Sequence, residues 1–331
     1  MYTILRTLFL LIAIALTASA ASEEIFKRQI DAAPGGKLVV DVDFGSINVT
    51  AGPDDKVALE AHRKIDFGDE SKEKEFLADA PITVSKEENV VTIRARGKTP
   101  TRWIFDHQET HANYIIRVPK KFETGLRTDG GSIRVSDIVG DLKAHTSGGR
   151  MTFAHLEGKL DGETSGGAIE IEDCRGPIGI ETSGGHIRVT DGKGSLKGKT
   201  SGGHIEVRNF SGDTDVRTSG GRLELEKISG ALLGKTSGGA IRASISGVVV
   251  GDVKLETSAG SIDLSVPASA GLTIDASTSV GEVVSHLPIQ TTLVDREHLR
   301  GTLNGGGKSV RLGTSAGNIT IEPATGEIAN R

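Results

Sequence analysis

Two histidines, His186 and His204, occupy equivalent places in successive copies of a short repeat. Stacked copies would bring their Cβ atoms to about 5 Å from each other, so the two side chains could share a metal ion. A useful metal site needs a third ligand, and the equivalent places in the copies before and after carry Ala168 and Arg222. We therefore predict no metal site and no cofactor here, and we keep the histidine pair as a candidate binding feature on a solvent-facing surface.

A second histidine pair lies in the run HQETH at residues 107–111. The zinc-protease motif needs a glutamate directly after the first histidine, and it needs a helix that places both histidines on one face. Glu109 comes one place too late, and no helix is expected close to Trp103. The run predicts no metal site, whereas Trp103 is a candidate for stacking against a sugar ring.

The acidic residues do not follow the pattern of a glycan-cleaving enzyme. Such enzymes place two carboxyl groups within about 5–10 Å of each other, whereas Asp161 and Asp215 share a repeat position but lie three copies apart. The recurring serine of the repeat does not form a nucleophile elbow, and the glycine pairs open no helix that would bind phosphate. We predict no catalytic residues and no enzyme activity.

One repeat position carries charges of alternating sign. Glu170, Arg188 and Glu206 follow one another at this position, and we expect them to pair across adjacent copies. Exposed pairs contribute only about 0–1 kcal/mol each, so we interpret these charges as a help to the register and not as a site.

The composition excludes several classes of protein. The chain has 331 residues, 39 Lys+Arg against 44 Asp+Glu, and 36% hydrophobic residues, which is typical of a folded protein. The excess of acidic over basic residues gives no sign of the positively charged surface that binds nucleic acid. A single cysteine, Cys174, excludes an intramolecular disulfide framework, and we expect it to be buried or unreactive.

Residues 1–20 have the pattern of a secretory signal peptide. An apolar run at residues 8–16 is followed by the small-residue pattern Ala-Ser-Ala, which ends at Ala20. The alternative is a retained membrane anchor, but the run is short for a bilayer core, which needs about 20 residues. We expect cleavage after Ala20 and no transmembrane segment in the mature chain. The protein would then work outside the cytoplasm, in the periplasm, as a secreted protein or at the cell surface.

An internal repeat predicts the fold. The motif Thr-Ser-Gly-Gly begins every 18 residues from Thr146 to Thr236, and close variants extend the series in both directions. We interpret the motif as a structural corner. The corner residues include Thr146, Gly148, Gly149, Thr164, Gly166, Gly167, Thr182, Gly184, Gly185, Thr200, Gly202 and Gly203.

Each 18-residue unit contains two short strands. Apolar residues at the fifth, seventh and fourteenth places after the threonine alternate with polar ones, and a glycine at the twelfth place marks a turn. Such a unit has no room for a crossover helix and buries its apolar face only by stacking. The sequence therefore predicts an all-β fold, a single-stranded parallel β-helix or solenoid with 18-residue coils. A left-handed hexapeptide helix fits poorly, because its apolar positions recur every six residues. The threonines should point inward as a buried ladder of hydroxyl groups.

The ends of the chain differ from its middle. Residues 21–127 are rich in aromatic side chains and are predicted to form an N-terminal cap and the first coils, with one short charged helix at 69–80 that ends before Pro81. The regular solenoid covers residues 128–322, with a loop near 285–301, and residues 323–331 form a C-terminal tail.

The order of these segments resembles a known family. Residues 37–322 run through DVDFGSINV, a charged helix, TIRAR, YIIRVPKKFETGLRTDGGSIRV, serial TSGG coils and LRGTLNGGGKSVRLGTSAGNITI. This order resembles the bacterial putative-adhesin family, a domain of unknown function with β-strand repeats. The resemblance implies a β-solenoid at the bacterial envelope and supplies no catalytic residues.

We therefore predict a non-catalytic extracytoplasmic solenoid with a binding or structural role, whose partner is an unknown surface ligand, either protein or glycan. Three alternatives stay open at this point. They are a polysaccharide-active β-helix enzyme, an accessory protein of envelope-stress signalling, and an ice-binding rod. The last of these needs a threonine ladder that faces water, whereas the predicted ladder is buried.

Overall fold

The protein is almost entirely β-structure. The computed structural model describes residues 21–97, 109–247 and 251–324, and strands make up 63% and helix 3% of these residues. The predicted all-β solenoid class is thereby confirmed. The predicted signal peptide, Trp103 and residues 325–331 lie outside the described residues. In the described ranges, no helix has the length and apolar character needed to cross a membrane.

The N-terminal part of the chain contains seven strands and one helix. In chain order they are β1 (Ser22–Asp31), β2 (Gly36–Val42), β3 (Ser46–Ala51), β4 (Lys56–Asp66), α1 (Glu70–Asp79), β5 (Thr83–Glu87), β6 (Val90–Ala95) and β7 (Glu109–Val118). Helix α1 lies within the predicted range. It begins after Asp69 because that carboxylate accepts hydrogen bonds from the backbone N–H groups of Ser71 and Lys72.

The central part of the chain winds between two sheets, which we call sheet I and sheet II. In chain order the strands are β8 (Phe122–Thr128), β9 (Ile133–Ser136), β10 (Leu142–Thr146), β11 (Met151–Ala154), β12 (Leu160–Thr164), β13 (Ile169–Glu172), β14 (Arg175–Thr182), β15 (Ile187–Thr190), β16 (Lys193–Lys199), β17 (Ile205–Ser211), β18 (Thr214–Arg217), β19 (Leu223–Ser229), β20 (Leu232–Lys235), β21 (Ile241–Ile245), β22 (Val253–Ala259) and β23 (Ile262–Val266). Even-numbered strands from β8 to β22 belong to sheet I, and odd-numbered strands from β9 to β23 belong to sheet II.

Within each sheet, every central strand pairs in parallel with the strand one repeat away. Thr164 lies opposite Thr146 on one side and Thr182 on the other, and Ile187 lies opposite Ile169. The predicted stacking of 18-residue coils is therefore present with its expected register. Equivalent residues of successive coils form columns along the stack, as they must when parallel strands pair at a constant offset.

The apolar positions of both sheets face a single continuous core. Ile187 and Val189 of β15 are fully buried, and the residue between them, Arg188, is exposed. Where one coil lacks a side chain, a neighbour fills the space: a Cβ on Gly192 would lie 2.6 Å from the ring of Phe210. Burial of Cys174 raises the pKa of its thiol to about 11, which keeps it protonated and unreactive.

Each corner is held by the buried hydroxyl of its threonine. The Thr200 hydroxyl accepts a hydrogen bond from the N–H of Gly203 at 3.2 Å and donates one to the carbonyl of Gly185, in the preceding coil, at 2.9 Å. Ten threonines, Thr200 included, make this donation, over distances of 2.8–3.1 Å. The threonine column points into the protein and satisfies backbone groups that have no strand partner.

The two glycines of the corner have different steric roles. A Cβ on the second glycine of a corner, Gly185, would lie 1.9 Å from the carbonyl oxygen of Gly167, whereas a Cβ on Gly184 would lie 3.7 Å from its nearest neighbour. In later corners the first glycine is replaced by alanine or valine and the second never is. Only the second glycine is required by the close approach of adjacent coils. The glycine at the turn between the two strands has φ values of 126–151° in six coils, a backbone conformation that favours glycine.

The first coil along the chain is not the first in the stack. Strand β2 pairs in parallel with both β6 and β8, and β3 pairs in parallel with both β7 and β9. The coil formed by β6 and β7 therefore lies outside the coil formed by β2 and β3. Antiparallel strands then cover its edge: β5 pairs with β6, β4 pairs with β7, and β1 pairs with β4. This is the predicted N-terminal cap, and it hides strand edges that would otherwise stay open.

The C-terminal end has the same kind of inversion. Its strands are β24 (Leu272–Val280), β25 (Val283–Ser285), β26 (Gln290–Val294), β27 (His298–Leu303), β28 (Lys308–Ala316) and β29 (Ile319–Pro323). Strand β28 lies between β22 and β24, and β29 lies between β23 and β25. The coil formed by β28 and β29 is the last along the chain. In the stack, however, the coil formed by β24 and β25 lies outside it. The segment expected as a loop near 285–301 instead contains β26 and the start of β27, an antiparallel pair that covers the edge of β24 and supplies its backbone groups with partners.

The steric difference between the corner glycines gives a matched pair of variants. Gly185→Ala should lower the free energy of unfolding by about 1–3 kcal/mol, because the new methyl group forces adjacent backbones apart. Gly184→Ala should change it by less than about 0.5 kcal/mol. Chemical denaturation of the two variants beside the wild type measures both values. Equal stability of the two variants would contradict the corner geometry.

The threonine ladder can be tested without changing side-chain volume. Thr200→Val removes one hydroxyl and leaves a buried N–H and a buried carbonyl without a partner, which should cost about 1–3 kcal/mol of unfolding free energy. Thr190→Val, at a partly exposed position on the outer face of sheet II, is the control and should cost much less. Thermal unfolding of both variants compares the two. A Thr200→Val protein as stable as the control would show that the hydroxyl does not join the coils.

Candidate functional site

His186 and His204 stack on the outer face of sheet II. Their ring centroids are 5.1 Å apart and their planes differ by 7°. Glu170 is the nearest acidic partner, with its Oε1 3.6 Å from Nε2 of His186. The part of the chain that the structure describes contains no group of three or more His, Cys, Asp or Glu side chains suited to hold a metal ion. The pair is a small stacked surface feature.

The surroundings of His204 disfavour its protonated form. Partial burial, followed by the charges of His186 and Arg222, lowers the pKa of His204. The Glu206 and Glu224 carboxylates oppose this effect and do not overcome it.

The column of alternating charges pairs only in part as expected. Arg188 lies 3.1 Å from Glu206, whose nearly buried carboxylate also meets Arg208 at 2.8 Å. Glu170 instead pairs with Arg150, at 3.2 Å. The Arg188–Glu206 and Arg150–Glu170 contacts tie neighbouring coils together on the surface of sheet II.

A groove lies on the outer face of sheet I. It has a volume of about 630 Å³ and extends from Arg127 to Arg217 across the six strands β8, β10, β12, β14, β16 and β18. Strands of a sheet are about 4.8 Å apart, so the groove is about 24 Å long. Gly179, one of its lining residues, contributes no side chain to the groove. Because the strands stack in register, the groove runs along the axis of the solenoid.

Most charges in the groove are already paired. Lys159 lies 2.7 Å from Asp161, Lys199 lies 2.7 Å from Glu181, and Arg217 lies 2.8 Å from Asp215.

Two lysines of the groove, Lys143 and Lys197, have no ion-pair partner among the described residues, and both are exposed. They occupy the same column, three coils apart. Lysine and arginine exceed acidic residues among the lining side chains by five to four, although the whole chain has a net charge of −5.

The register also brings together two acidic side chains that the sequence patterns did not point out. Glu163 and Glu181 are partners in adjacent strands of sheet I and both line the groove. Their side chains are 69% and 54% exposed, so neither lies in the water-poor surroundings that a catalytic acid needs. None of the described lining residues is Phe, Tyr or Trp, so the groove lacks the large aromatic rings that stack against a sugar. The predicted role of Trp103 falls outside the described residues.

The corner threonines belong to the interior of the protein, whereas the first glycines of the corners, Gly148, Gly166, Gly184 and Gly202, are exposed. The threonines of the predicted corners, including Thr146, Thr164 and Thr182, are buried, and their hydroxyl groups bond to the backbone. A regular threonine ladder that faces water is the feature an ice-binding surface would need, and the column does not provide it.

Taken together, the stacked 18-residue coils and the axial groove define a β-solenoid with an open groove on one outer face. The chain belongs to the Toastrack DUF4097 family, whose model matches residues 36–322. This confirms the resemblance drawn from the order of the segments. Among curated proteins none matches the chain.

Several solved structures are similar to this chain at low sequence identity. A putative cell adhesion protein from Clostridium sporogenes is 14% identical, with 92% of this chain and 100% of that chain covered and a TM-score of 0.23. A putative adhesin from Bacteroides fragilis is 14% identical, with coverages of 92% and 98% and a TM-score of 0.23. A putative lipid binding protein from Parabacteroides distasonis is 10% identical, with coverages of 89% and 96% and a TM-score of 0.29.

The lowered pKa of His204 predicts a pH-dependent stability. Because the unfolded chain binds a proton near the ordinary value of 6.5 and the folded chain binds it only at lower pH, stability contributed by neutral His204 is lost as pH falls through about 6.5. His204→Gln should therefore lose less thermal stability than the wild type between about pH 8 and pH 5. Melting curves over this range measure the difference. Identical pH profiles would contradict the assignment.

Proposed function

We propose that the protein is a non-catalytic binding protein of the bacterial envelope that holds an extended surface ligand along the groove of sheet I. The observation that carries this proposal is the groove itself, which crosses six in-register strands and contains two exposed lysines without partners among the described residues. A rigid, axial surface of this length suits a chain-like ligand better than a small molecule. The expected site of action is outside the cytoplasm.

The stacked fold supports a binding role because it holds the groove in one shape. Each strand beneath the groove is paired on both sides, and the backbone below it ends in a hydrogen-bonded threonine corner. A preorganised surface loses little conformational freedom when a ligand binds. Families of this fold carry function in their surface residues and not in the fold as such, so the columns of the groove are the place to test.

A polysaccharide-active enzyme is the second candidate, and the pair Glu163 and Glu181 is the observation that favours it. The two residues are register partners in adjacent strands, which lie about 4.8 Å apart, and a retaining glycosidase needs two carboxyl groups about 5 Å apart. It ranks below a binding role because both side chains are largely exposed and each has a basic neighbour, His145 or Lys199. Release of reducing sugar by the wild type, abolished in Glu163→Gln and in Glu181→Gln, would favour the enzyme.

Blocking the groove tests the proposed binding role. Gly179 lies on the groove floor, and a Cβ there would come within 3.1 Å of only the outer end of the Asp161 side chain, so a large residue can be accommodated outward. We expect the mature chain from Ala21 to bind one or more glycans on an array of bacterial surface polysaccharides. Gly179→Trp should reduce that binding by about tenfold or more, because the indole fills the path of the ligand.

The matched control is Thr190→Trp, which adds the same side chain to the outer face of sheet II. It should bind like the wild type, and both variants should retain the wild-type melting temperature. A wild type that binds nothing on the array, or a Gly179→Trp variant that binds as well as the control, would refute the proposed function.

A further inference from the structure

We infer that the groove of sheet I takes an acidic polysaccharide, whose negative groups contact Lys143 and Lys197. This inference rests on the proposed function and adds the chemical class of the ligand. It starts from the charge pattern: the acidic side chains of the groove each have a basic neighbour, whereas these two lysines have no ion-pair partner among the residues that the structure describes. Free positive charge is therefore what the groove offers to a ligand.

The two lysines are placed for repeated contact with one chain. They lie in a single column, three coils apart, which corresponds to about 14 Å along the axis of the solenoid. Between them stand Asp161, which is held by Lys159, and Gly179, which has no side chain. A linear polymer can follow this open path and place one negative group on each lysine, so that the second contact forms within the same complex.

The local charge also distinguishes the groove from the rest of the molecule. Its lining has an excess of one positive charge, while the chain as a whole has a net charge of −5. The groove therefore differs in sign from the net charge of the molecule, and this difference favours the approach of a negatively charged ligand to the groove.

The spacing selects among negatively charged polymers. Double-stranded DNA has one charge per about 1.7 Å of its axis and is bound by dense arrays of basic residues. Two free lysines separated by about 14 Å match a polymer with sparse charges instead. The described lining residues include no Phe, Tyr or Trp, the side chains on which single-stranded nucleic acids and neutral sugars commonly stack. An acidic polysaccharide satisfies all of these conditions.

The probes for the test are hyaluronan, polygalacturonate and polysialic acid, each beside its carboxyl-esterified neutral form, with poly-dT as the nucleic acid. Calorimetric titration of the mature chain should detect at least one acidic polysaccharide. Its esterified form should bind at least about tenfold more weakly, and added salt should weaken binding of the acidic form. Lys143→Glu combined with Lys197→Glu should reduce affinity by about tenfold or more, since each contact changes from attraction to repulsion.

The control is Lys193→Glu combined with Lys308→Glu, which changes the net charge equally at two exposed lysines that do not line the groove. Lys193 belongs to the same strand as Lys197, so this control also matches the local fold. It should leave affinity within about twofold of the wild type.

Several results would overturn the inference. They are no binding to any of the three acidic polysaccharides, equal binding of an esterified form, unchanged affinity in the Lys143→Glu, Lys197→Glu variant, or equal or tighter binding of poly-dT. A neutral glycan that binds and is lost in Gly179→Trp would leave the proposed function standing and refute only the acidic ligand. Binding that Gly179→Trp does not affect would refute both.

Discussion

A single buried hydroxyl joins each coil of this protein to the next. The threonine at each corner donates to the carbonyl of the second glycine in the coil before it in space. In the seven corners from Thr128 to Thr236 it also accepts from the N–H of the second glycine of its own coil. The donation follows the order of the coils in space and not their order along the chain. Thr314 donates to Gly260, and Thr278 donates to Gly317. The bond fits only where coils are in register and where no side chain stands at the second glycine. Parallel pairing and alternating burial both depend on that constraint.

The same register creates the surface on which a ligand can bind. Residues 18 positions apart along the central chain become neighbours in space, so every outward position forms a column with its own sequence of charges. In several columns unlike charges of adjacent coils pair, as Lys199 does with Glu181 and Arg188 does with Glu206. Lys143 and Lys197 are exceptions, because the coils between them carry at this position an acidic residue already paired and a glycine. The candidate site is thus a local departure from a regular pattern.

The parts of the fold that repeat could be predicted from the sequence. The constant spacing from Thr146 to Thr236 indicates the coil length, and the alternation around Ile187 and Val189 indicates which side faces the core. The order of coils at the two ends could not be predicted, because the strand pairs at 36–51 and 308–323 have the same alternation as the coils beside which they are inserted. The periodic pattern shows that a segment forms a coil, but it does not show which other coil that segment will pair with.

The groove escaped prediction for a related reason. Glu163, Glu181, Lys143 and Lys197 each look like ordinary surface residues until the register places them in shared columns. Writing the repeats one beneath another would have revealed both columns, although not the depth of the groove, which depends on how the strands bend.

The central claim is that the corners are hydrogen-bonded parts of the stack and not surface loops, and amide hydrogen exchange tests it most directly. If the claim holds, the N–H groups of the second glycines, Gly167, Gly185 and Gly203 among them, exchange as slowly as those of the adjoining strands, because each donates to a threonine hydroxyl inside the stack. Exchange of these amides at the rates of exposed loops, while the strands stay protected, would contradict it.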